Sequence, residues 1–146
     1  MKRIGLALLS ALLPFSALAA QADHIKASHA WIRLLPANLP AGGYVTLDNQ
    51  GTAAATLVSA HSASYASVML HQSAMDPTGN STMRMVGQLD IPVHGQLVLA
   101  PSGYHLMLQQ AAHALKPGDM VDITLDFADG SHLPVSFLVR PANTSD

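Results

Sequence analysis

The feature that most constrains the fold is a series of short apolar runs, each followed by a cluster of turn-forming residues. After residue 20, no apolar repeat with the period of an α-helix appears. From residue 120 to 127, apolar and polar side chains alternate, as they do in a strand with one buried face. This pattern predicts an all-β fold, an antiparallel sandwich or Greek-key barrel of about eight or nine short strands.

The predicted strands are joined by turns in which Gly supplies a positive φ or Pro presets the backbone. One helical turn is predicted for residues 111–115, just before Pro117. No repeat, low-complexity tract or linker divides the sequence, so one domain is expected. The predicted strands are residues 24–34, 43–48, 54–62, 66–72, 82–89, 96–100, 105–109, 120–127 and 134–139.

Residues 1–19 are predicted to be a secretory signal peptide. Lys2 and Arg3 precede an apolar run that Pro14 interrupts, and small residues at alternate positions lead to Ala19. The run is too short to span a bilayer well. We therefore expect export to the periplasm, no membrane insertion after removal of the signal, and a single mature domain of residues 20–146.

The composition excludes several classes of function. Because the chain has no Cys, it has no disulfide, thiolate nucleophile, iron–sulfur cluster, blue-copper Cys ligand or Cys for lipid attachment. Residues 20–146 carry nine Asp against five Lys or Arg, a net charge of −4 with neutral His, so nucleic-acid binding is not expected. No nucleophile elbow, phosphate-binding Gly loop or HExxH sequence indicates an enzyme.

Without Cys, the remaining soft or borderline metal ligands are His and Met. Imidazole and thioether together suit Cu(I) far better than Zn, Mg or Ca. Each residue also has an ordinary interpretation, because Met often fills cores and a single His often has only a polar role. Three tripeptides place two such residues on one face of a predicted strand: Met69-Leu70-His71, Met83-Arg84-Met85 and His105-Leu106-Met107. Alternation does not separate Met83 from Met85.

The segment from Val68 to Met107 resembles the periplasmic copper chaperone family called PCu(A)C, whose signature reads H(M)X10MX21HXM. Ten residues lie between Gln72 and Met83, and twenty-one lie between Met83 and His105. The flanking sequences AWIR, AGGYVTLDNQG, IPVHG and PSGYHLML are similar as well, so the resemblance covers nearly all of the mature domain. Gln72 is a departure, because it stands where the signature has an optional Met.

The resemblance implies a cupredoxin-like Greek-key barrel that binds one Cu(I) through four ligands. Met85 is the alternative to Met83 as a ligand. It also implies delivery of copper towards the CuA centre of cytochrome c oxidase, with a Sco-type protein or the CuA domain as partner. We expect a monomer, with ligands near strand ends where a partner reaches the metal. The implied ligands are His71, Met83, His105 and Met107.

Two other functions fit part of the sequence. A metal-free exported β-sandwich would explain the strands but not the spacing of the His and Met residues. A periplasmic copper buffer would bind the ion without delivering it to a specific acceptor. The other histidines that have no ligand-type neighbour on the same face are expected in solvent or turns: His61, His94, His113 and His132.

Overall fold

Period-two alternation organises the strands of the computed structural model, which describes residues 19–145. The ten strands are β1 (Ile25–Arg33), β2 (Ala41–Asn49), β3 (Ala55–His61), β4 (Tyr65–Met75), β5 (Ser81–Met85), β6 (Leu89–Ile91), β7 (Gln96–Leu99), β8 (Tyr104–Ala111), β9 (Met120–Phe127) and β10 (His132–Arg140). In β9 the odd-numbered apolar residues are buried and the residues between them are partly or fully exposed, as the sequence predicts. The predicted signal peptide, apart from Ala19, lies outside the described residues.

The strands form one curved sheet in the order β5-β4-β8-β2-β1-β10-β9-β3-β6, and β7 pairs with β2 beyond the end of the β2–β8 ladder. All pairings are antiparallel except that of β1 with β10. The all-β prediction is therefore confirmed. The described residues form ten strands rather than eight or nine, because the run predicted at 82–89 divides at Gly87 into β5 and β6.

The apolar faces of the strands enclose one hydrophobic core. Burial of a large aliphatic or aromatic side chain contributes about 1.5–3 kcal/mol, so this core is the main stabilising feature of the fold. Among the described residues, no helix is long and apolar enough to cross a membrane. The largest fully buried side chains are Phe127, Phe137, Ile32, Leu47, Leu57, Ile91, Leu106, Leu108, Ile123, Leu125, Val45 and Val121.

Two local predictions are wrong. The helical turn at 111–115 is absent, because β8 extends to Ala111 and the chain then continues without helix to Pro117. A 3-10 helix instead precedes β1, at Gln21–His24. The strand predicted to end at Gln72 continues to Met75, because the polar residues after His71 pair with β5 in a hairpin.

A β-bulge in β1 decides which residues face outwards at its end. Between the pairs Ser28–Thr46 and Trp31–Tyr44, β1 has one residue more than β2, and His29 there has a φ of 52°. A bulge of this kind reverses the inward and outward positions that follow it. Ile32 consequently enters the core, while Trp31 and Arg33 lie on the outer face of the sheet beside Tyr44.

Candidate metal centre

The strand register brings the predicted ligands onto one outer face of the sheet. His71 in β4 lies opposite His105 in β8 on one side and opposite Met85 in β5 on the other. Directly paired residues of antiparallel strands project to the same face, so these three side chains form a row across the strands. The two imidazole rings are edge to face, with centroids 5.9 Å apart.

Both imidazoles are buried although they lie on the outer face. His71 is 9% exposed, and neither of its ring nitrogens has a hydrogen-bond partner among the described residues. A buried polar group normally has a partner, and a missing one costs about 1–3 kcal/mol. Burial, and then the proximity of His105, lowers the pKa of His71. His71 is therefore held in the neutral form, with one lone pair available and nothing in the protein to use it.

His105 is oriented by its own backbone. Its Nδ1 lies 3.1 Å from the carbonyl oxygen of Gly103. Because a carbonyl only accepts hydrogen bonds, Nδ1 carries the proton in the neutral ring and donates it. The lone pair of Nε2 is then free for a metal ion, an arrangement common among metal-binding histidines.

The methionines flank the histidine row on both sides. Met107 is partly buried one row away and lies opposite Met69 and Gly42. Met83 pairs with Ser73 one row in the other direction and is 53% exposed, while Met85 is 69% exposed. All of these thioethers share the face of the two imidazoles, as the two-residue spacings predict.

A small cleft favours Met83 over Met85 as a ligand. The cleft has a volume of about 230 Å³, and Met83, His105 and Met107 line it together with Ser73, Tyr44 and Arg33. We call it the Met107 cleft. Met85 is not among its lining residues. His71 is not among them either, but its ring lies 5.9 Å from that of His105, which lines the cleft. The choice of Met83 as fourth ligand stays a prediction.

The expected location at strand ends is only partly right. His105 is the second residue of β8, directly after the turn at Gly103, as expected. His71, however, lies four residues inside the end of β4, and Met83 occupies the centre of β5. Access for a partner instead results from β5, which is exposed along its whole length at the edge of the sheet.

Gln72 does not belong to the site. It lies on the opposite face of β4 from His71, where Nε of Arg84 donates a hydrogen bond to its Oε1 at 2.9 Å. A Met at this position would also project away from the histidine row. The departure from the signature therefore removes no side chain from the outer face that carries His71 and His105.

An aromatic wall beside His105 was not predicted as part of the site. The Tyr44 ring lies 6.4 Å from that of His105 and 4.6 Å from that of Trp31. The guanidinium of Arg33 lies 5.5 Å from the centre of the Tyr44 ring. The sequences AWIR and AGGYV contain these residues, but the bulge that turns Trp31 and Arg33 outwards carries no clear sequence signal.

The remaining histidines lie outside this face. His61 and His132 are about 60% exposed, as expected for residues in solvent. They also donate hydrogen bonds of 3.0 and 2.7 Å to the carboxylate of Asp126, a shared partner that the sequence analysis did not predict. Burial tends to raise the pKa of Asp126, but hydrogen bonds from His61, His132 and Ser59 outweigh it, so the pKa is lowered. His94 and His113 are exposed, as expected.

The donor set is chemically selective. Within residues 19–145, no three His, Cys, Asp or Glu side chains are grouped so that they could hold a metal ion. The outer face instead offers two imidazoles and uncharged thioethers, which suit a soft monovalent ion. The unpartnered nitrogens of His71 are the observation that fits such an ion best.

Comparison with known proteins identifies the family. Residues 25–139 match the family described as LpqE-like. A protein of Leifsonia xyli subsp. xyli named "Putative lipoprotein Lxx21020" is 31% identical over 120 residues, which are 82% of this chain and 72% of that protein. The chain belongs to the LpqE-like family.

Solved structures agree with the fold of this LpqE-like chain. The Cu(I) form of DR1885 from Deinococcus radiodurans is 32% identical, with a TM-score of 0.62 over 88% of this chain and 84% of that one. The copper-bound PCuAC domain from PmoF2 has a TM-score of 0.66 at 21% identity, over 81% and 93% of the two chains. The predicted membership of the PCu(A)C family and the predicted cupredoxin-like fold are thus confirmed.

Proposed function

We propose that this protein binds one Cu(I) ion through His71, His105, Met107 and Met83 and passes it to a partner protein. The observation that carries the proposal is the buried, neutral His71, whose two ring nitrogens have no partner, in edge contact with His105. A bound ion would satisfy one of these nitrogens. Copper is the cargo of this function, and no catalytic step is assigned to the protein.

The identity of the ion follows from ligand type. Thioethers do not titrate and carry no charge, so they select a soft ion of low charge over Zn(II) or Ca(II). The titles of two similar structures name copper, and one of them names Cu(I). These findings about related proteins support Cu(I) as the cargo here.

Transfer is favoured over storage by the exposure of the site. Met83 is 53% exposed on an edge strand, so an incoming ligand reaches the ion without opening the core. An acceptor with thiolate ligands would then replace the neutral ligands one at a time. We infer that the acceptor is a Sco-type protein or the CuA domain of cytochrome c oxidase, as the family resemblance implies.

We place the protein in the periplasm. The predicted signal at 1–19 and the word lipoprotein in the name of the relative both support export. Since the 146 residues contain no Cys, they offer no site for the thioether-linked lipid of a bacterial lipoprotein. We propose that the mature domain acts there as a monomer.

Anaerobic titration of apo-protein with Cu(I) against a competing chelator tests binding. One equivalent should bind, and His71→Ala or His105→Ala should abolish tight binding, because the remaining ligands do not complete a four-coordinate shell. His113→Ala, an exposed histidine after the same strand β8, is the matched control and should bind as the wild type does. Absence of binding by the wild type would leave the metal-free module as the better function.

Transfer kinetics separate a chaperone from a buffer. The loaded protein should pass copper to a CuA domain or Sco-type protein faster than the ion dissociates spontaneously, and the rate should rise with acceptor concentration. A rate equal to the spontaneous dissociation rate, and independent of the acceptor, would instead indicate a buffer.

A further inference from the structure

Arg33 is the one charged residue among the described residues that line the Met107 cleft. The register explains its position. Arg33 pairs with Gly42 in β2, and Gly42 pairs with Met107 in β8, so the three form a row across the sheet. Because Gly42 has no side chain, the phenol end of Tyr44 lies over it, and Arg33, Tyr44 and Met107 line the same cleft.

The side chain of Arg33 is held in a fixed position. Its guanidinium lies 5.6 Å from the centre of the Trp31 ring and 5.5 Å from that of Tyr44, within the range of cation–π attraction. Its Nε donates a hydrogen bond of 3.0 Å to the carbonyl oxygen of Thr144. Gly42 is required for this arrangement, because a Cβ there would lie only 2.4 Å from the Tyr44 hydroxyl oxygen, a severe clash.

A fixed cation has unequal effects on two states of the site. With imidazole and thioether ligands, a bound Cu⁺ keeps its full positive charge, and the neighbouring guanidinium repels it. Once an acceptor thiolate joins the ion, the copper and the sulfur are together neutral, and this repulsion is relieved. The charge of Arg33 therefore disfavours the resting complex relative to the complex through which copper leaves.

We propose that Arg33 is a positioning residue that weakens Cu⁺ binding in the Met107 cleft and promotes its departure to acceptors with anionic ligands. This inference rests on the proposed function. In the step, an acceptor thiol releases its proton to solvent, a copper–thiolate bond forms, and a bond from copper to a thioether or imidazole breaks. The copper remains Cu⁺ throughout, so no oxidant or reductant is needed.

The test compares neutral and charged variants of Arg33. Arg33→Gln and Arg33→Leu remove the charge, add no thioether or imidazole to the cleft and keep methylene groups that pack on the aromatic wall. Strand spacing separates the Cα atoms of Arg33 and Met107 by about 10 Å, and for a charge at a similar distance from the ion each variant should lower the Cu(I) dissociation constant about threefold to tenfold at low salt. Arg33→Lys keeps the charge and should stay within about twofold of the wild type. Competition with a colorimetric Cu(I) chelator measures all three constants.

Salt dependence distinguishes a charge effect from a packing effect. The Debye length falls from about 30 Å at 0.01 M salt to about 3 Å at 1 M. The difference between Arg33→Gln and the wild type should therefore shrink towards unity at 1 M salt, whereas a difference caused by altered packing would persist. Arg140→Gln is the matched comparison, because Arg140 also stacks on Trp31, at 5.2 Å, but pairs with Arg33 one strand further from Met107 and does not line the Met107 cleft. Its effect on the dissociation constant at low salt should be smaller than that of Arg33→Gln.

Transfer to dithiothreitol tests the second half of the proposal. Its second-order rate constant should fall severalfold in both neutral variants and not in Arg33→Lys. Unchanged affinity and unchanged transfer in folded Arg33→Gln or Arg33→Leu would overturn the inference, as would a salt-independent difference. Either result leaves copper binding by the wild type intact, so failure of this inference is distinguishable from failure of the proposed function.

Discussion

Replacement of His71 by Leu should stabilise the apo-protein while it destroys the copper site. The imidazole is 9% exposed, and both of its nitrogens lack partners, so folding removes them from water without compensation. Each unsatisfied buried group costs about 1–3 kcal/mol. Leu has a similar volume and no polar atom. Allowing for imperfect packing, we expect His71→Leu to raise the free energy of unfolding by about 1–2 kcal/mol, or a few degrees in Tm.

The increase in the free energy of unfolding caused by His71→Leu should depend on pH. Burial and His105 lower the pKa of His71 in the folded state below its ordinary value of 6.5. Between the folded and the unfolded pKa, only the unfolded state binds the proton, so wild-type stability falls as pH decreases through this window. The variant has no such group at this position. The difference in unfolding free energy between the variant and the wild type should therefore increase as the pH is lowered from 7.5 to below 6.5.

Urea denaturation of metal-free protein at pH 7.5 and 6.0 measures both effects, with Cu(I) titration of the same samples. His105→Leu is the control, because it removes the hydrogen bond to Gly103 and should not stabilise the protein. If His71→Leu destabilised the apo-protein as much as His105→Leu does, the two nitrogens of His71 would not be a cost of folding. In that case, the unpartnered imidazole of His71 would not lower the stability of the apo-protein.

Three further predictions concern the surroundings of the site and the carboxylate of Asp126 in β9. Gly42→Ala should lower the free energy of unfolding by about 1–3 kcal/mol in urea denaturation, because the new Cβ would lie 2.4 Å from the Tyr44 hydroxyl. Met83→Leu should weaken Cu(I) binding in chelator competition more than Met85→Leu does, because Met83 lines the Met107 cleft; the reverse order would identify Met85 as the ligand. Since the folded pKa of Asp126 is lowered, its contribution to stability is present above about pH 4 and lost as pH falls below that value. Asp126→Asn should therefore reduce the loss of unfolding free energy that is measured between pH 7 and pH 3.

The parts of the structure that follow from local alternation were predictable from the sequence. β9 was located at both ends, because the four-residue turn Lys116-Pro117-Gly118-Asp119 precedes it and Asp129-Gly130 follow it. The common face of His105 and Met107 also follows from their spacing alone. Such features depend on the direction of neighbouring side chains and not on which strands pair.

The features that depend on pairing were not predictable. The strand was predicted to end at Gln72, yet Ser73, Ala74 and Met75 also pair with β5 and extend the hairpin. The position of His71 opposite His105 depends on the register of β4 against β8, which no local pattern specifies. The bulge at His29 has the same origin, because an extra residue is recognisable only against its partner strand.

Stability and ligation lie on opposite faces of the same strands. In β4, Leu70 enters the core and is 4% exposed, and the next residue, His71, belongs to the candidate site. In β8, Leu106 is fully buried between His105 and Met107. Tight packing of each leucine fixes the backbone of its strand and with it the direction of the adjacent ligand. An ion held on this face would thus have rigid imidazoles behind it and an exposed thioether in front. An acceptor would approach from the exposed side, and the core would remain intact during the exchange.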